Sequence, residues 1–332
     1  MRAPSLPLRL TALTLLATAT IASAARPVDS AISTTQGANA QRRISGYGQR
    51  PTDGEAVPEL YPGENEDVGP QFLVVPRVRK TLFEAGVDVQ YYYTSNALLS
   101  EKGNVDTGIL LSTAYLGFAP TPIDLWGGKF AVRAGYREQM YNYGLDNTTN
   151  QLNNLDFAVG TTYLGGRFTF GANWTFSMGI DYNRYLSADN GFTEFYTEVL
   201  PQWGIEKLFE LNERNFITVG YFGGAHLTYT DPQPTSNAND RLDSIFLITS
   251  VHQLTDKLIL QPYYRFQQTH YWQNSDRNDA FNTVGVALAY LFNDWSSVRI
   301  FTSYEVRDTN EPTIPDYHKF DTGGGVSISV KF

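Results

Sequence analysis

The stretch Trp174-Thr175-Phe176-Ser177-Met178-Gly179-Ile180-Asp181-Tyr182 decides the fold. Its even positions carry large apolar or aromatic side chains, and its odd positions carry Thr, Ser, Gly or Asp. A period of two is that of a β-strand with one apolar face. The alternation is longer than the five or six residues of a typical soluble strand, and it is long enough to cross a bilayer at a tilt.

The same alternation recurs along the chain. It is clear in 87–94, in 155–163 and in 283–292, whereas 106–118 and 241–254 have apolar residues at both parities, so that their facing stays open. In 155–163 the pattern puts Phe157 on the apolar face and Gly160 on the face of polar and small residues. Tyr, Phe and Trp gather at the ends of these stretches, as aromatic residues do at the two interfaces of a membrane barrel.

Two kinds of connection separate the alternating stretches. Barrels have short turns on the periplasmic side and longer loops outside. Five short turns rich in Asn, Asp and Gly lie near 124–127, 171–173, 212–215, 255–257 and 293–294, and six more polar connections lie at 96–104, 145–151, 187–191, 230–240, 273–278 and 308–316. The fold class predicted is therefore all-β: a transmembrane, antiparallel up-and-down β-barrel of about 12 strands over residues 81–332, with 10 to 14 strands left open.

The N-terminus precedes this region with two different segments. Residues 1–24 have Arg2 and Arg9, an apolar stretch from Leu10 to Ile21, and Ala-Ser-Ala at 22–24, the pattern of a cleaved secretory signal peptide. Residues 25–80 are rich in Ser, Thr, Gln, Gly and Pro, which favours a flexible periplasmic segment. The alternative for 25–80 is a plug or a tether to a periplasmic partner.

Composition excludes other classes. The net charge of −9, or −11 without Arg2 and Arg9, argues against nucleic acid as a partner. The chain has no cysteine, so disulfides do not stabilise it. After residue 24 no uninterrupted apolar run reaches the ~18 residues of a transmembrane helix.

The C-terminus carries a resemblance to a known class. Val326, Ile328 and Val330 alternate with Ser and Lys, and Phe332 ends the chain. This ending resembles the closing strand of bacterial outer-membrane β-barrel proteins, the porin-like class at large. The resemblance implies that Phe332 is an assembly signal, that the barrel-assembly machinery and periplasmic chaperones are partners, and that the cell outer membrane and its lipids surround the barrel. It leaves the oligomeric state unknown.

Function is expected in the lumen, because the polar face of a barrel strand points inward. The alternation predicts seven inward charged residues as lumen or selectivity candidates: Arg133, Arg137, Asp181, Glu198, Arg265, Glu305 and Arg307. Charges in a confined space must be paired or solvated, so these residues either pair with one another or line a water-filled passage. A hairpin centred between 189 and 190 would place Asp181 opposite Glu198 and favour cations.

Catalytic signatures are not evident in the sequence. Four histidines, at 226, 252, 270 and 318, lie too far apart for a persuasive metal cluster, and no G-x-S-x-G or H-E-x-x-H motif occurs. We therefore expect neither enzyme activity, nor a cofactor, nor a metal. Two functions stay open: a porin-like channel for passive passage of small hydrophilic solutes with weak cation selectivity, and a closed-lumen structural or adhesive barrel that presents loops or binds periplasmic partners.

Overall fold

The computed structural model describes residues 31, 32, 34–36, 81–145, 152, 155–188, 191–229, 239–273 and 277–332. The predicted signal peptide lies outside these residues, as does most of the predicted flexible segment. No helix among the described residues is long and apolar enough to cross a membrane. The strands are β1 (Phe83–Thr94), β2 (Thr107–Phe118), β3 (Ile123–Leu125), β4 (Gly128–Asn142), β5 (Phe157–Phe170), β6 (Trp174–Ser187), β7 (Thr193–Asn212), β8 (Asn215–Tyr229), β9 (Arg241–Gln253), β10 (Leu258–Tyr271), β11 (Asn278–Asn293), β12 (Ser296–Thr309) and β13 (Tyr317–Lys331).

The strands form a closed antiparallel barrel in which sequence neighbours pair. The first strand, β1, pairs with the last, β13, so the backbone polar groups along both are satisfied. β3 pairs only with the start of β4, and β2 pairs directly with β4. β3 therefore forms a short hairpin at the rim and is not one of the strands of the barrel wall. Twelve long strands therefore close the barrel, and the predicted fold and strand number are confirmed.

The connections fall at two ends, which we call the turn end and the loop end. The five short turns predicted from sequence join strands at the turn end, and the six longer connections lie at the loop end. At the turn between β5 and β6, Gly171 and Asn173 have positive φ angles of 53° and 62°. Such values favour glycine and asparagine, which explains why this turn could be found in the sequence.

The facing of most strands follows the predicted alternation. In β6, Met178 is 58% exposed on the outer surface, and the odd positions between its apolar residues face inward. The two strands left open, β2 and β9, turn odd positions such as Leu111 and Leu247 inward. The alternation was wrong for β5, where Phe157 and Val159 are buried inside.

Gly160 of β5 faces outward, contrary to the prediction. A Cβ built there would lie 2.5 Å from the hydroxyl oxygen of Tyr136, an outward-facing residue of β4 that is 49% exposed. The physical reason for the reversal is that this part of the barrel has an apolar interior, so the apolar face of β5 does not mark the lipid side.

A short helical piece of the N-terminal region lies inside the barrel. We call it the inner segment, residues 31, 32 and 34–36. Ala31 and Ile32 are 2% and 6% exposed and belong to the same apolar cluster as Phe157 and Tyr141 of the barrel wall. The described part of the region predicted to be flexible thus resembles the alternative, a plug.

Candidate functional site: the barrel lumen

Near the turn end, inward-facing charged side chains of the described residues are exposed to solvent. Arg133 of β4 forms an ion pair with Glu84 of β1, and Arg167 of β5 forms one with Glu206 of β7. The arginine side chains remain 58% and 55% exposed although both point inward. Paired charges that stay hydrated are compatible with a water-filled vestibule.

Many inward side chains near the loop end are buried. A first cluster of charges among them centres on His226 of β8. One ring nitrogen of His226 lies 2.8 Å from Glu198 of β7, and the other lies 3.0 Å from Asp243 of β9. Arg241 lies 3.8 Å from each of these carboxylates and 3.2 Å from the hydroxyl of Tyr196. All five residues are buried, so the cluster compensates its own charges away from water.

A second cluster centres on Glu305 of β12. Its carboxylate accepts hydrogen bonds from Arg265 at 3.0 Å, Thr283 at 3.0 Å and Tyr317 at 2.9 Å, and it pairs with Lys319 at 3.3 Å. These partners come from β10, β11 and β13. One carboxylate thus links four neighbouring strands, β10 to β13, on the inner face of the barrel.

The inner segment packs between the barrel walls near the loop end. The Thr34 hydroxyl is 3.0 Å from that of Tyr143, and the Gln36 amide donates a 3.1 Å hydrogen bond to Asp243. Below Tyr143, the rings of Tyr141 and Phe157 stack at 4.5 Å between centroids. The inner segment therefore contacts opposite parts of the wall and occupies part of this half of the lumen.

A cavity remains beside the inner segment, against β1, β2 and β10 to β13. It holds about 710 Å³, a volume that includes its opening to solvent. Part of its lining is apolar, with Tyr92, Leu111 and Phe301, and part is charged, with Glu305 and its partners. Thr34 belongs to the lining, so the inner segment is one wall of this cavity.

All seven charged candidates face inward, but they do not form one site. Arg133 lies in the vestibule, Glu198 belongs to the His226 cluster, and Arg265 and Glu305 belong to the second cluster. Arg137 approaches Thr161 at 3.4 Å and interacts electrostatically with Asp181, which is half-buried at mid-strand. Arg307 lies apart from these two, donates to the carbonyl of Pro315 and lies over the ring of Tyr317.

The predicted pairing of Asp181 with Glu198 is wrong. Asp181 pairs with Leu200, and the partner of Glu198 is Asn183. Ser187 pairs with Thr193, which moves the hairpin by one residue from the predicted register, and a bulge at Phe195 between β6 and β7 moves it by one more. The partner of Glu198 is therefore two residues further along β6 than predicted. An acidic pair is therefore not the basis of any cation selectivity.

The sequence offered a plug only as the alternative for residues 25–80 and did not single out residues 31–36, and it did not indicate the partners of Glu198. Arg241 and Asp243 lie in the stretch whose parity was open, and His226 is a lone histidine between glycine-rich and Thr-rich residues. A stretch with apolar residues at both odd and even positions indicates a strand whose inner face is also packed, as in β2 and β9.

His252 and His270 each lie beside an asparagine on the outer face. His252 lies 2.7 Å from Asn215, and His270 lies 2.9 Å from Asn278. In the part of the chain that the structure describes, no group of three or more His, Asp or Glu side chains is placed to hold a metal ion.

Comparison with known proteins concerns the architecture. No protein-family model matches the chain, and no curated protein matches its sequence. An outer membrane channel from Pseudomonas putida F1 has a similar structure, with a TM-score of 0.51 and 10% identity over 82% of this chain and 100% of its own. The CymD monoaromatic hydrocarbon channel has a TM-score of 0.43 and 9% identity over 76% of this chain and 90% of its own. The transport unit of the autotransporter AIDA-I from Escherichia coli also has a TM-score of 0.43 and 9% identity, over 77% of this chain and 93% of its own. At such identities the likeness concerns the fold alone: the chain has the architecture of bacterial outer-membrane β-barrel proteins.

Proposed function

We propose that this chain is an outer-membrane channel for small hydrophilic solutes, and that its inner segment closes the passage at rest. The observation that carries the proposal is the contrast between the two halves of the lumen. Charged side chains such as Arg133 and Arg167 are exposed near the turn end, whereas the inner segment occupies part of the lumen near the loop end. A barrel meant only as a scaffold has no need of a hydrated vestibule.

The inner segment is suited to act as a movable closure. It belongs to the N-terminal region and not to a strand, so it can leave without breaking barrel hydrogen bonds. Its polar anchors among the described residues are few, notably Thr34 to Tyr143 and Gln36 to Asp243. Each hydrogen bond of this kind is worth about 1 kcal/mol net, and buried apolar contacts of Ile32 add about 1.5–3 kcal/mol. Together these terms would hold the closure without making it permanent.

A modest cation preference stays part of the proposal. It rests on the net charge of −11 that the chain has without Arg2 and Arg9, and not on an acidic pair. The inward arginines oppose it, so the preference is expected to be weak.

The second candidate is a closed-lumen barrel that presents loops or binds periplasmic partners. The two buried charge clusters favour it, since clusters around Glu198 and Glu305 stiffen the wall whether or not solutes pass. It predicts no conductance under any condition.

Planar-bilayer conductance decides between them. The mature chain should show rare, brief openings, and a variant lacking residues 25–36 should open steadily. Reversal potentials in a KCl gradient should then show slight cation preference. If neither protein conducts, although heat-modifiable migration shows that both are folded, the closed-lumen barrel is favoured. A steady anion preference would remove the selectivity part alone.

A further inference from the structure

The cavity beside the inner segment has the chemistry of a binding site. Its apolar wall includes the side chains of Tyr92 and Phe301, whose ring centroids lie 6.0 Å apart, together with Leu111. Aromatic and aliphatic surfaces of this kind pack against the flat face of a ring-shaped molecule. The wall therefore suits a small molecule with an apolar face.

The charged part of the lining offers two hydrogen-bonding atoms that the protein leaves unused. Nε of Arg265 and Oδ1 of Asp321 are buried, and neither atom has a hydrogen-bond partner among the residues that the structure describes. The Arg265 side chain is only 6% exposed. Leaving a buried donor or acceptor unsatisfied is unfavourable, and ligand hydroxyl groups can satisfy both atoms because a hydroxyl both accepts and donates.

The charges of the lining balance. Arg265 and Lys319 are cationic, and Glu305 and Asp321 are anionic. The carboxylate of Glu305 already has four partners, so a charged ligand would add an uncompensated charge to a buried site. The lining thus favours a neutral ligand.

We propose that this cavity binds a small neutral ring-shaped molecule carrying hydroxyl groups, a sugar or an aromatic alcohol. The ring packs on Tyr92 and Phe301, and hydroxyl groups of the ligand accept from Arg265 Nε and donate to Asp321 Oδ1. Because Thr34 lines the same cavity, the ligand contacts the inner segment that closes the passage. The inference deepens the proposed function and rests on it for the ligand's role as a solute, whereas binding itself can be measured separately.

Calorimetric titration of the full mature chain in lipid nanodiscs tests the site. The probes are D-glucose and phenol, with glucuronate and benzoate as their charged counterparts. At least one neutral probe should bind saturably, and its charged counterpart at least tenfold more weakly. The neutral probe that binds identifies the ligand as a sugar or an aromatic alcohol.

Two conservative variants locate the binding. Asp321→Asn and Arg265→Lys should each weaken it at least tenfold, while Glu206→Gln, on the wall of the vestibule, should leave it unchanged. Heat-modifiable migration checks that each variant is folded, and the Asn and Lys variants serve as independent readouts if one misfolds.

Three results would overturn the site: no saturable binding of either neutral probe, stronger binding of the charged counterparts, or binding that both variants leave intact. Failure of the proposed channel looks different. If the protein lacking residues 25–36 is silent in bilayers while the full chain binds the probe, the site stands and the channel does not. If it conducts and nothing binds, the channel stands alone.

Discussion

Glu198 of β7 faces Asn183 of β6, whose side-chain amide donates a 2.8 Å hydrogen bond to the Glu198 carboxylate. A neutral amide thus faces a charged carboxylate. The Thr161 hydroxyl extends this hydrogen-bond chain, because it donates to the Asn183 side-chain oxygen at 2.8 Å. The carboxylate thus has an amide donor on one side and His226 on the other. Position 183, and not position 181, is where a second negative charge would be intolerable.

A charge placed at Asn183 tests this register. Asn183→Asp removes the amide donor and puts two carboxylates opposite each other in a buried site, so we expect a loss of at least about 1 kcal/mol in unfolding free energy. Asp181→Asn is the matched control, because a barrel with Asp181 opposite Glu198 would be stabilised by it. Urea unfolding in lipid vesicles measures both. Stabilisation by Asp181→Asn together with no effect of Asn183→Asp would restore the simpler register.

The difference between the predicted and the observed register of β6 and β7 shows which features could be predicted from the sequence: side-chain facing could be, and pairing partners could not. The side-chain parity of β6 is fixed by the pleat, so Met178 could be placed outside and Asn183 inside from the alternation alone. Pairing partners depend on the loop and on the bulge at Phe195, and a bulge has no dependable signature in a single sequence. Twelve strands were predictable because turns carry Asn, Asp and Gly for conformational reasons.

The facing of β5 could not be predicted, for a different reason. Alternation reports which face is apolar, and the inference that the apolar face meets lipid assumes a polar lumen. Phe157 and Val159 break that assumption because the inner segment brings Ile32 into the lumen. The composition of residues 25–80 resembles that of a disordered chain, so nothing in that composition indicated a buried piece.

The outward facing of β6 makes Met178 a probe of the membrane. Met178→Arg places a charge on the outer face near mid-strand, and the expected cost is about 2–4 kcal/mol, the value for the bilayer midplane. Trp126→Arg, at a turn-end residue that is 88% exposed, should cost within about 0.5 kcal/mol. Unfolding in vesicles gives both values. Equal costs at the two positions would mean that Met178 does not face hydrocarbon.

The last residue should matter more for assembly than for the finished fold. Phe332 is 60% exposed, and its backbone accepts from Leu82 and Phe83 and donates to Phe83. Phe332→Ala keeps these backbone bonds and removes only the ring, so we expect less barrel in the outer membrane and more precursor in the periplasm. Purified, refolded Phe332→Ala should unfold at nearly the wild-type denaturant concentration. Phe332→Tyr, which keeps a terminal aromatic ring, is the control, and normal membrane levels of Phe332→Ala would contradict the role.

The position of the inner segment can be measured directly because the chain has no cysteine. Ala31 is 2% exposed, so a thiol in Ala31→Cys should react with a polar maleimide at least about a hundredfold more slowly than one in Trp126→Cys, since an opening that costs about 2.7 kcal/mol lowers the reactive population by that factor. Adding Gln36→Ala removes the hydrogen bond to Asp243, worth about 1 kcal/mol, and should raise the rate at position 31 about fivefold while leaving that at position 126 unchanged. Glu213→Ala, at the turn joining β7 and β8, serves as the matched second substitution. Equal labelling at positions 31 and 126 in the otherwise unchanged chain would place the inner segment outside the lumen and remove the basis for a closure.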